Sequence, residues 1–512
     1  MACYLTSTLK RAVQVRRDGI ATIDGDRRRT WAEIHGRVVR LAGALKGLGI
    51  ETGYRVAVLA FNGDRYFELH FAIPWAGAAL VPINTRLSPT EIRYIIEDSG
   101  ARILFVDEGN AAVLDSLGDL PAGLTVISMP DEYERQIAAA ESVEDAARHG
   151  DDLAGIFYTG GSTGKSKGVM LSHDNLLINA MNALIMFGYD DKTTYLHAAP
   201  MFHLTDGMAT YSITMTAGTH VFIPRFEPDA ALRAIERNKV THVAMVPTMV
   251  EMAARQAEKE RYDISSLKQI AFGAAPMPQA TLERSIKLWP HLLMCHGWGL
   301  TELSPIGTNL PVEYRDPKTA GDRLRSCGKP AMGLELRIVD ENDREMPTGE
   351  VGEIVIRGPT VMMGYWNKPE ETAQALRGGW LHTGDAGYID EEGFVYIVDR
   401  LKDMIITGGE NVYSPEVESA ISKLPGVAGV AVIGVPHETW GEAVHAVVVT
   451  ESGATLDAET VITHCRTTLA GYKSPRSVDF RTDPLPLSGA GKILKRLLRE
   501  EYNRARETKS DG

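Results

Sequence analysis

Short apolar runs alternate with longer amphipathic stretches over the first half of the chain. Runs rich in Val, Ile and Ala fall at 55–60, 102–106, 153–158, 241–246 and 269–272. Strands of that length, separated by stretches long enough for helices, predict an α/β fold with buried, largely parallel strands and crossover helices. From about Leu334 the rhythm changes to shorter strands with glycine turns, at 335–339, 353–357, 386–389 and 394–398, which predicts a β-rich subdomain over about 330–399. Past Arg400 a small α/β unit is expected, with a helix from about 415, strands near 428–433 and 443–450, a helix near 458–469 and a terminal helix from 492. The expected division is a large N-terminal domain, 1–399, and a small C-terminal domain, 400–512, with the boundary at 399–403.

The length of 512 residues, with 44% hydrophobic and 24% charged residues, is that of a folded, water-soluble protein of several domains. The net charge of -13 argues against a polyanion as the main partner, so any basic patch is local. One such patch is 466–509, with eleven Lys or Arg against five Asp or Glu; it is either an anion-docking surface or a solvated basic helix. The charged stretches 131–152 and 313–325 read as solvated connectors. The four cysteines form no CxxC and indicate neither a disulfide framework nor a zinc site, which fits a reducing cytoplasm. The longest nearly apolar run, 71–83, is 13 residues and contains two prolines, too short and broken for a membrane span, and the N-terminus shows no secretory leader.

The most informative segment is Tyr158-Thr-Gly-Gly-Ser-Thr-Gly-Lys-Ser-Lys-Gly168, directly after an apolar strand. Glycines let backbone NH groups face a ligand, hydroxyls add donors and two lysines add charge, a set suited to phosphate oxygens. Two other patterns overlap it. The P-loop GxxxxGK[ST] fits at Gly164, Lys165 and Ser166, but Thr159 stands where its first glycine belongs. The hydrolase pattern GxSxG fits Gly160 to Gly164 and would make Ser162 a nucleophile, but 165–168 continue the loop and 169–171 look extended where an elbow requires a helix.

The loop resembles the phosphate-binding signature of the adenylate-forming superfamily, which includes acyl-CoA synthetases. Other signatures follow in family order over 30–499: Pro200-Met-Phe-His203, Gly273-Ala-Ala-Pro276, Gly297-Trp-Gly-Leu-Thr-Glu302, Gly379-Trp-Leu-His-Thr-Gly-Asp385, Asp399-Arg-Leu-Lys-Asp403, Gly408-Gly-Glu-Asn411 and Gly489-Ala-Gly-Lys-Ile-Leu494. The overall look is that of bacterial fatty-acid ligases and their phenylpropanoid relatives. The resemblance implies an ATP-dependent carboxylic acid–CoA ligase. Acyl-adenylate and pyrophosphate form first, then acyl-CoA and AMP. It implies that Thr159, Ser162, Thr163, Gly164, Lys165 and Lys167 serve the β- and γ-phosphates, that Thr301 contacts the α-phosphate and that Glu302 holds Mg²⁺. Gly273, Ala274, Ala275, Pro276, His296, Gly297, Trp298 and Gly299 would form the adenine side, with Asp385 and Arg400 at the ribose. Lys492 would be the catalytic ammonium, or in the plainer reading a surface lysine. Glu302 likewise admits a plain helix-start role.

By the same resemblance Lys402 is the hinge about which the small domain swings, and Gly408, Gly409, Glu410, Trp440, Tyr472, Lys473 and Arg476 serve CoA. The acyl pocket would be lined by Met201, Phe202, Thr205, Met208, Ala274, Gly299, Ser304, Ile306 and Gly307. His203 stands in the acyl motif, or is a satisfied core histidine. No Asp in that motif is placed to pair with an amino group, and no carrier domain follows Lys492, so a plain acid and free CoA are expected. Two acid classes remain open, medium- to long-chain fatty acids and aryl acids such as ferulate or 4-coumarate; a non-turnover acyl-binding protein is the other alternative to the ligase. A homodimer is admitted, and a nucleic-acid partner is not expected. The sequence departs from the family at Gly160, Ser162, Ser166, Trp298 and Leu487, none of them a catalytic position.

Overall fold

The computed structural model describes residues 4–159, 166–273, 277–408, 410–451, 453–487 and 493–510. The chain forms two compact units, one of Met1–Ala274, Ser285–Leu336 and Ile356–His382, the other of Ala275–Arg284, Arg337–Val355 and Thr383–Gly512.

The first unit is built on two sheets. At the centre of the nine-stranded sheet, Ile20–Asp24, Thr219–Phe222, Thr194–His197, His242–Met245, Gln269–Phe272 and Leu293–Gly299 run parallel. Strands such as Gln269–Phe272 are buried at every residue, so their sequences read as unbroken apolar runs rather than alternating ones. Each fully buried Val, Leu or Ile contributes roughly 1.5–3 kcal/mol, an upper estimate. In the seven-stranded sheet, four parallel strands lead to Leu153–Thr159, which turns back antiparallel into Lys167–Ser172; Gly364–Tyr365 adds an edge. The apolar run 71–83 divides into the helix Asp64–Trp75 and the strand Ala79–Pro82. Among the described residues no helix is long and apolar enough to cross a membrane.

A four-stranded sheet orders Glu335–Val339, Gly352–Arg357, Leu381–Ile389 and Val395–Arg400, as the glycine-punctuated pattern predicts. The second unit also holds a five-stranded sheet in which Val427–His437 pairs antiparallel with Gly441–Thr450. Period-two alternation splits that hairpin between two cores. Val432, Val444 and Ala446 pack with Val417 and Val461 of the helices Ser414–Ile421 and Ala458–Thr468, while Ala431, Ile433 and Ala443 pack with Leu498 of the helix Lys495–Ser510. The strand Ser477–Arg481, lying in the basic stretch, extends the sheet by pairing with Gly441–Thr450.

The two charged connectors are structural elements instead. Residues Asp131–Ala139 form a helix that buries Tyr133 and Ile137, and Glu134 accepts from Arg37 and Arg65. Arg315 is only 3% exposed and donates to Leu310 O, Gln269 Oε1 and Asn309 Oδ1. A charge count along the chain is blind to such partners, which come from distant segments.

Four buried histidines make stability acid-sensitive. Burial, the largest cause in each case, pushes His70 down to about 3 and His173, His242 and His296 down to about 4. The unfolded chain protonates them near pH 6.5, so their contribution is fully present above that value and is lost as pH falls toward 4. In this window each removes about 1.4 kcal/mol per pH unit. The melting temperature is therefore expected to fall steadily from pH 6.5 to 5, measured by calorimetry; a flat profile would contradict it.

Candidate functional site

The phosphate-loop candidates sit at the end of the Leu153–Thr159 and Lys167–Ser172 hairpin. Thr159 and Lys167 are its last cross-strand pair, and both are half-buried. Ser162, Thr163, Gly164 and Lys165 lie outside the described residues. The stem nevertheless tells the hydrolase pattern from a phosphate loop: the chain leaves the segment in a strand, and the next helix, His173–Phe187, begins only after Ser172. A nucleophile elbow needs the helix immediately after its serine.

Opposite this stem lies the turn Thr301–Leu303, which follows the strand Leu293–Gly299. Thr301 and Glu302 are half-buried. Tyr365, on the short strand Gly364–Tyr365 beside the hairpin, donates its hydroxyl to Glu302 Oε1 at 2.9 Å. The Lys167 ammonium stands 5.0 Å from the centre of the same ring. Burial first, and then the Glu302 charge, push the Tyr365 phenol well above its usual range, so it remains a donor at neutral pH. Main-chain bonds fix this strand to both partners, Trp366 N to Gly168 O at 2.7 Å and Met362 N to Glu302 O at 2.9 Å. Thus one lysine and one carboxylate, 135 residues apart in sequence (302 minus 167), meet across Tyr365.

Tyr365 joins these candidates by contact, and the sequence analysis did not single it out. Its signal was present as Gly364-Tyr-Trp366 just before the proline-started helix Pro369–Ala375, but nothing local ties a tyrosine there to Glu302.

The remaining candidates of the first unit cluster around the same strand end. Gly273 leaves the strand Gln269–Phe272 beside Gly297, while Ala274, Ala275 and Pro276 lie outside the described residues. His296 is buried, stacks on Phe272 at 4.8 Å and bonds Ser326 O through Nδ1 at 2.9 Å. With its pKa held at about 4 by burial it is neutral at pH 7. Trp298 is half-buried opposite Thr308, and Gly307 is small because a Cβ there would lie 2.9 Å from the Trp298 ring. Gly299 is more constrained still, since a Cβ would come within 1.8 Å of the Pro305 carbonyl oxygen. Ser304 is fully buried in the left-handed region at φ 70° and donates to Thr360 O at 2.9 Å, a conformation that costs of order 1–3 kcal/mol and persists because its neighbours fix it.

His203 precedes the helix Leu204–Thr216 and is half-buried against Phe202, with ring centres 4.7 Å apart. Met201, Phe202 and Met208 are buried and Thr205 half-buried. Asp206, three residues on, is fully buried, accepting from His197 Nδ1 at 2.6 Å and Tyr195 OH at 3.1 Å. Those bonds occupy both carboxylate oxygens and leave it no role toward an amino group. Met208 and Ile306 belong to one buried cluster with Phe187, Tyr189, Tyr195, Ala244 and Ala271.

In the second unit Asp385 and Arg400 are cross-strand partners, Arg400 Nε lying 2.6 Å from Asp385 Oδ1 with the carboxylate buried. Lys402 is exposed. Gly408 has φ 62° and bonds Trp440 O through its amide at 2.9 Å; the Trp440 ring stacks on His437 at 4.3 Å and lies under the Arg476 guanidinium at 4.3 Å. Glu410 and Tyr472 are exposed, and Lys473 is bound to Glu416 at 2.8 Å. Gly408, Trp440 and Arg476 are thus brought together, with Lys473 held aside by its carboxylate. Gly409 and Lys492 lie outside the described residues; Leu487 and Ile493 form an isolated bridge, and Leu494 N bonds Pro486 O at 2.8 Å.

Comparison with known proteins gives the family of the chain. Residues 9–366 match the AMP-binding enzyme family and residues 416–492 match the AMP-binding enzyme C-terminal domain. The chain is 40% identical to a feruloyl-CoA synthase of Amycolatopsis sp over 474 residues, covering 92% of this chain and 94% of that one. It is 35% identical over 485 residues to the long-chain-fatty-acid–CoA ligase FadD13 of Mycobacterium tuberculosis, covering 93% and 94%. The ATP-bound structure of MatB from Rhodopseudomonas palustris superposes with a TM-score of 0.89 at 33% identity, covering 98% of this chain and 99% of that one.

Proposed function

We propose a two-step mechanism for this chain, which belongs to the AMP-binding enzyme family and is an AMP-forming acid–CoA ligase that uses ATP and CoA. In the first step the substrate carboxylate attacks the α-phosphorus of ATP and pyrophosphate leaves; in the second the CoA thiol attacks the acyl carbonyl and AMP leaves. The observation that carries the residue assignment is the Lys167–Tyr365–Glu302 contact at the mouth of the loop stem. Positioned cations and donors there serve the charge that spreads over phosphate oxygens in the transition state.

Ser162, Thr163, Gly164, Lys165 and Lys167 receive the β- and γ-phosphates, and Thr301 the α-phosphate. Glu302 fits Mg²⁺, an ion bound through one or two carboxylates plus substrate phosphates, because among the described residues its carboxylate is held by a neutral donor, the Tyr365 hydroxyl. Bound there, the ion would neutralise phosphate charge. Trp298 stacks on adenine, and Asp385, positioned by Arg400, accepts from the ribose hydroxyls. Lys492 bridges carboxylate and α-phosphate. For the second step we place the moving boundary at 399–403, with Lys402 as hinge between 1–399 and 400–512. Gly408 and Gly409 pass the pantetheine, and Trp440 and Arg476 hold the CoA nucleotide.

The acyl substrate we propose is an aryl acid of the hydroxycinnamate class. Supporting it are the rings that share the cluster of Met208 and Ile306, with Phe187 and Tyr189 at 5.5 Å and Tyr189 and Tyr195 at 6.1 Å, and the 40% identity to a feruloyl-CoA synthase. Assayed with ATP, CoA and Mg²⁺, ferulate is expected to exceed palmitate in kcat/KM by at least roughly tenfold, the discrimination that one or two pocket contacts supply. A palmitate preference would overturn the acid; ADP in place of AMP would overturn the chemistry.

Tyr365→Phe keeps the ring beneath Lys167 and removes only the hydroxyl bond to Glu302. A bond to a charged group contributes about 1.5–3 kcal/mol, so the Mg²⁺ concentration for half-maximal adenylation is expected to rise about 10- to 100-fold, with kcat recovered at saturating Mg²⁺. An unchanged Mg²⁺ requirement would refute this positioning role.

A further inference from the structure

A second anion site is built into the N-terminal part of the chain, away from every residue assigned above. The hairpin Ile20–Asp24 and Arg27–Thr30 runs directly into the helix Trp31–Gly47, whose start is fixed by a capping box between Thr30 and Glu33. Three consecutive arginines on the strand and two on the helix, Arg27, Arg28, Arg29, Arg37 and Arg40, line one cleft of about 510 Å³. Glu33 is the single acidic residue in that lining, while Asp24, Asp64, Glu68 and Glu134 pair with Arg27, Arg29 and Arg37 from outside it.

The carboxylates that accompany these arginines lie mainly beneath the cleft. Asp64 is 1% exposed and holds Arg27 Nε at 2.6 Å and also Arg29; Glu68 is fully buried and holds Arg37 Nε at 2.6 Å. Three guanidinium planes are thereby locked from below. The two remaining arginines have no such counter-charge among the described residues: Arg28 has no hydrogen-bond or ion-pair partner, and Arg40 donates only to the Gly36 carbonyl at 3.1 Å. Glu33 does not supply it, because its carboxylate already accepts from the Thr30 amide and hydroxyl. Ala32 and Gly36, one helical turn apart, put short side chains into the lining between the arginines, and a Cβ added at Gly36 would meet nothing within 4 Å.

Guanidinium groups crowded in this way repel one another unless an anion lies between them. Their planar donor forks match phosphate oxygens two at a time, and pre-locked forks lose little conformational freedom on binding. Arg28 and Arg40 leave two charges without a carboxylate among the described residues, which one carboxylate would offset by half and a group of two or three linked phosphates offsets in full. We propose that the Arg27–Arg40 cleft is a binding site for an oligophosphate group, free in solution or carried on a lipid headgroup, and separate from the nucleotide loop.

The test uses the full chain saturated with the α,β-methylene analogue of ATP, so that the nucleotide loop is filled. Titration with inorganic tripolyphosphate is expected to reveal one further equivalent bound. Arg28→Glu/Arg40→Glu is expected to weaken that binding by at least about tenfold and to lower the slope of log affinity against log salt by about two, with adenylation unchanged. Arg28→Gln/Arg40→Gln, which removes charge without reversing it, is expected to fall between. A parallel sedimentation with phosphatidylcholine vesicles, with and without the diphosphate-headgroup lipid undecaprenyl diphosphate, separates the sources. Tripolyphosphate binding lost in the variant assigns a free oligophosphate, and binding to the diphosphate-lipid vesicles lost in the variant, without tripolyphosphate binding, assigns a headgroup. Absence of both in the wild type, or binding undiminished in both variants, overturns the proposal.

Discussion

Replacing Lys492 with Ala is expected to slow acyl-adenylate formation by roughly 10²- to 10³-fold, the loss seen when one charge-stabilising donor is removed from a transition state. Thioester formation from supplied acyl-AMP is expected to stay near the wild-type rate. The asymmetry follows from what the ammonium does: it neutralises carboxylate and α-phosphate as they approach, and that encounter is over once the adenylate exists. The described residues flanking the substituted position are anchored by the Leu487–Ile493 bridge and by buried Leu498. Rapid-quench measurement of each half-reaction distinguishes the outcomes. Equal loss in both would refute the assignment of Lys492 to the first step.

Lys402→Pro is expected to do the reverse. Lys402 is exposed and lies between two anchored neighbours, Arg400 on Asp385 at 2.6 Å and Asp403 on Arg499 at 3.0 Å. A rotation about this point must be taken up by the backbone of Leu401 and Lys402, the two residues between them. Proline fixes φ near −65° and removes one of the two soft torsions. Adenylation is expected to be retained, while the thioester step falls by roughly 10²-fold or more if motion gates it. A variant that performs both half-reactions at wild-type rates would place the hinge elsewhere.

The parallel sheets were legible because their strands are buried on both faces. The run at 269–272 has the bounds of the strand Gln269–Phe272; in the separate four-stranded sheet, 335–339 has those of Glu335–Val339, half-exposed and marked by its glycine-punctuated surroundings. The C-terminal hairpin was legible as two apolar runs but too short, at 428–433 and 443–450 against Val427–His437 and Gly441–Thr450, since pairing carries the strands past their apolar cores. The short strands Ile405–Thr407 and Glu410–Val412 left no periodic signal and take their form from the neighbouring sheet. For the site, the motifs marked Lys167, Glu302, Asp385 and Arg400. They could not mark Tyr365, whose bond to Glu302 spans 63 residues, nor the burial of Asp206 and Arg315, whose partners come from other segments. Local pattern reports which residues can do chemistry, while contact across the sheets decides which ones meet.

The central claim is that the segment around the Leu153–Thr159 and Lys167–Ser172 stem grips a triphosphate so that an organic acid is activated with loss of pyrophosphate. Exchange of labelled pyrophosphate into ATP, run without CoA, reads that step alone. The account predicts label in ATP only when a carboxylic acid such as ferulate is present, with the exchange abolished in Lys492→Ala. Acid-independent exchange, or none with any acid across a panel of aryl and fatty acids, would contradict it.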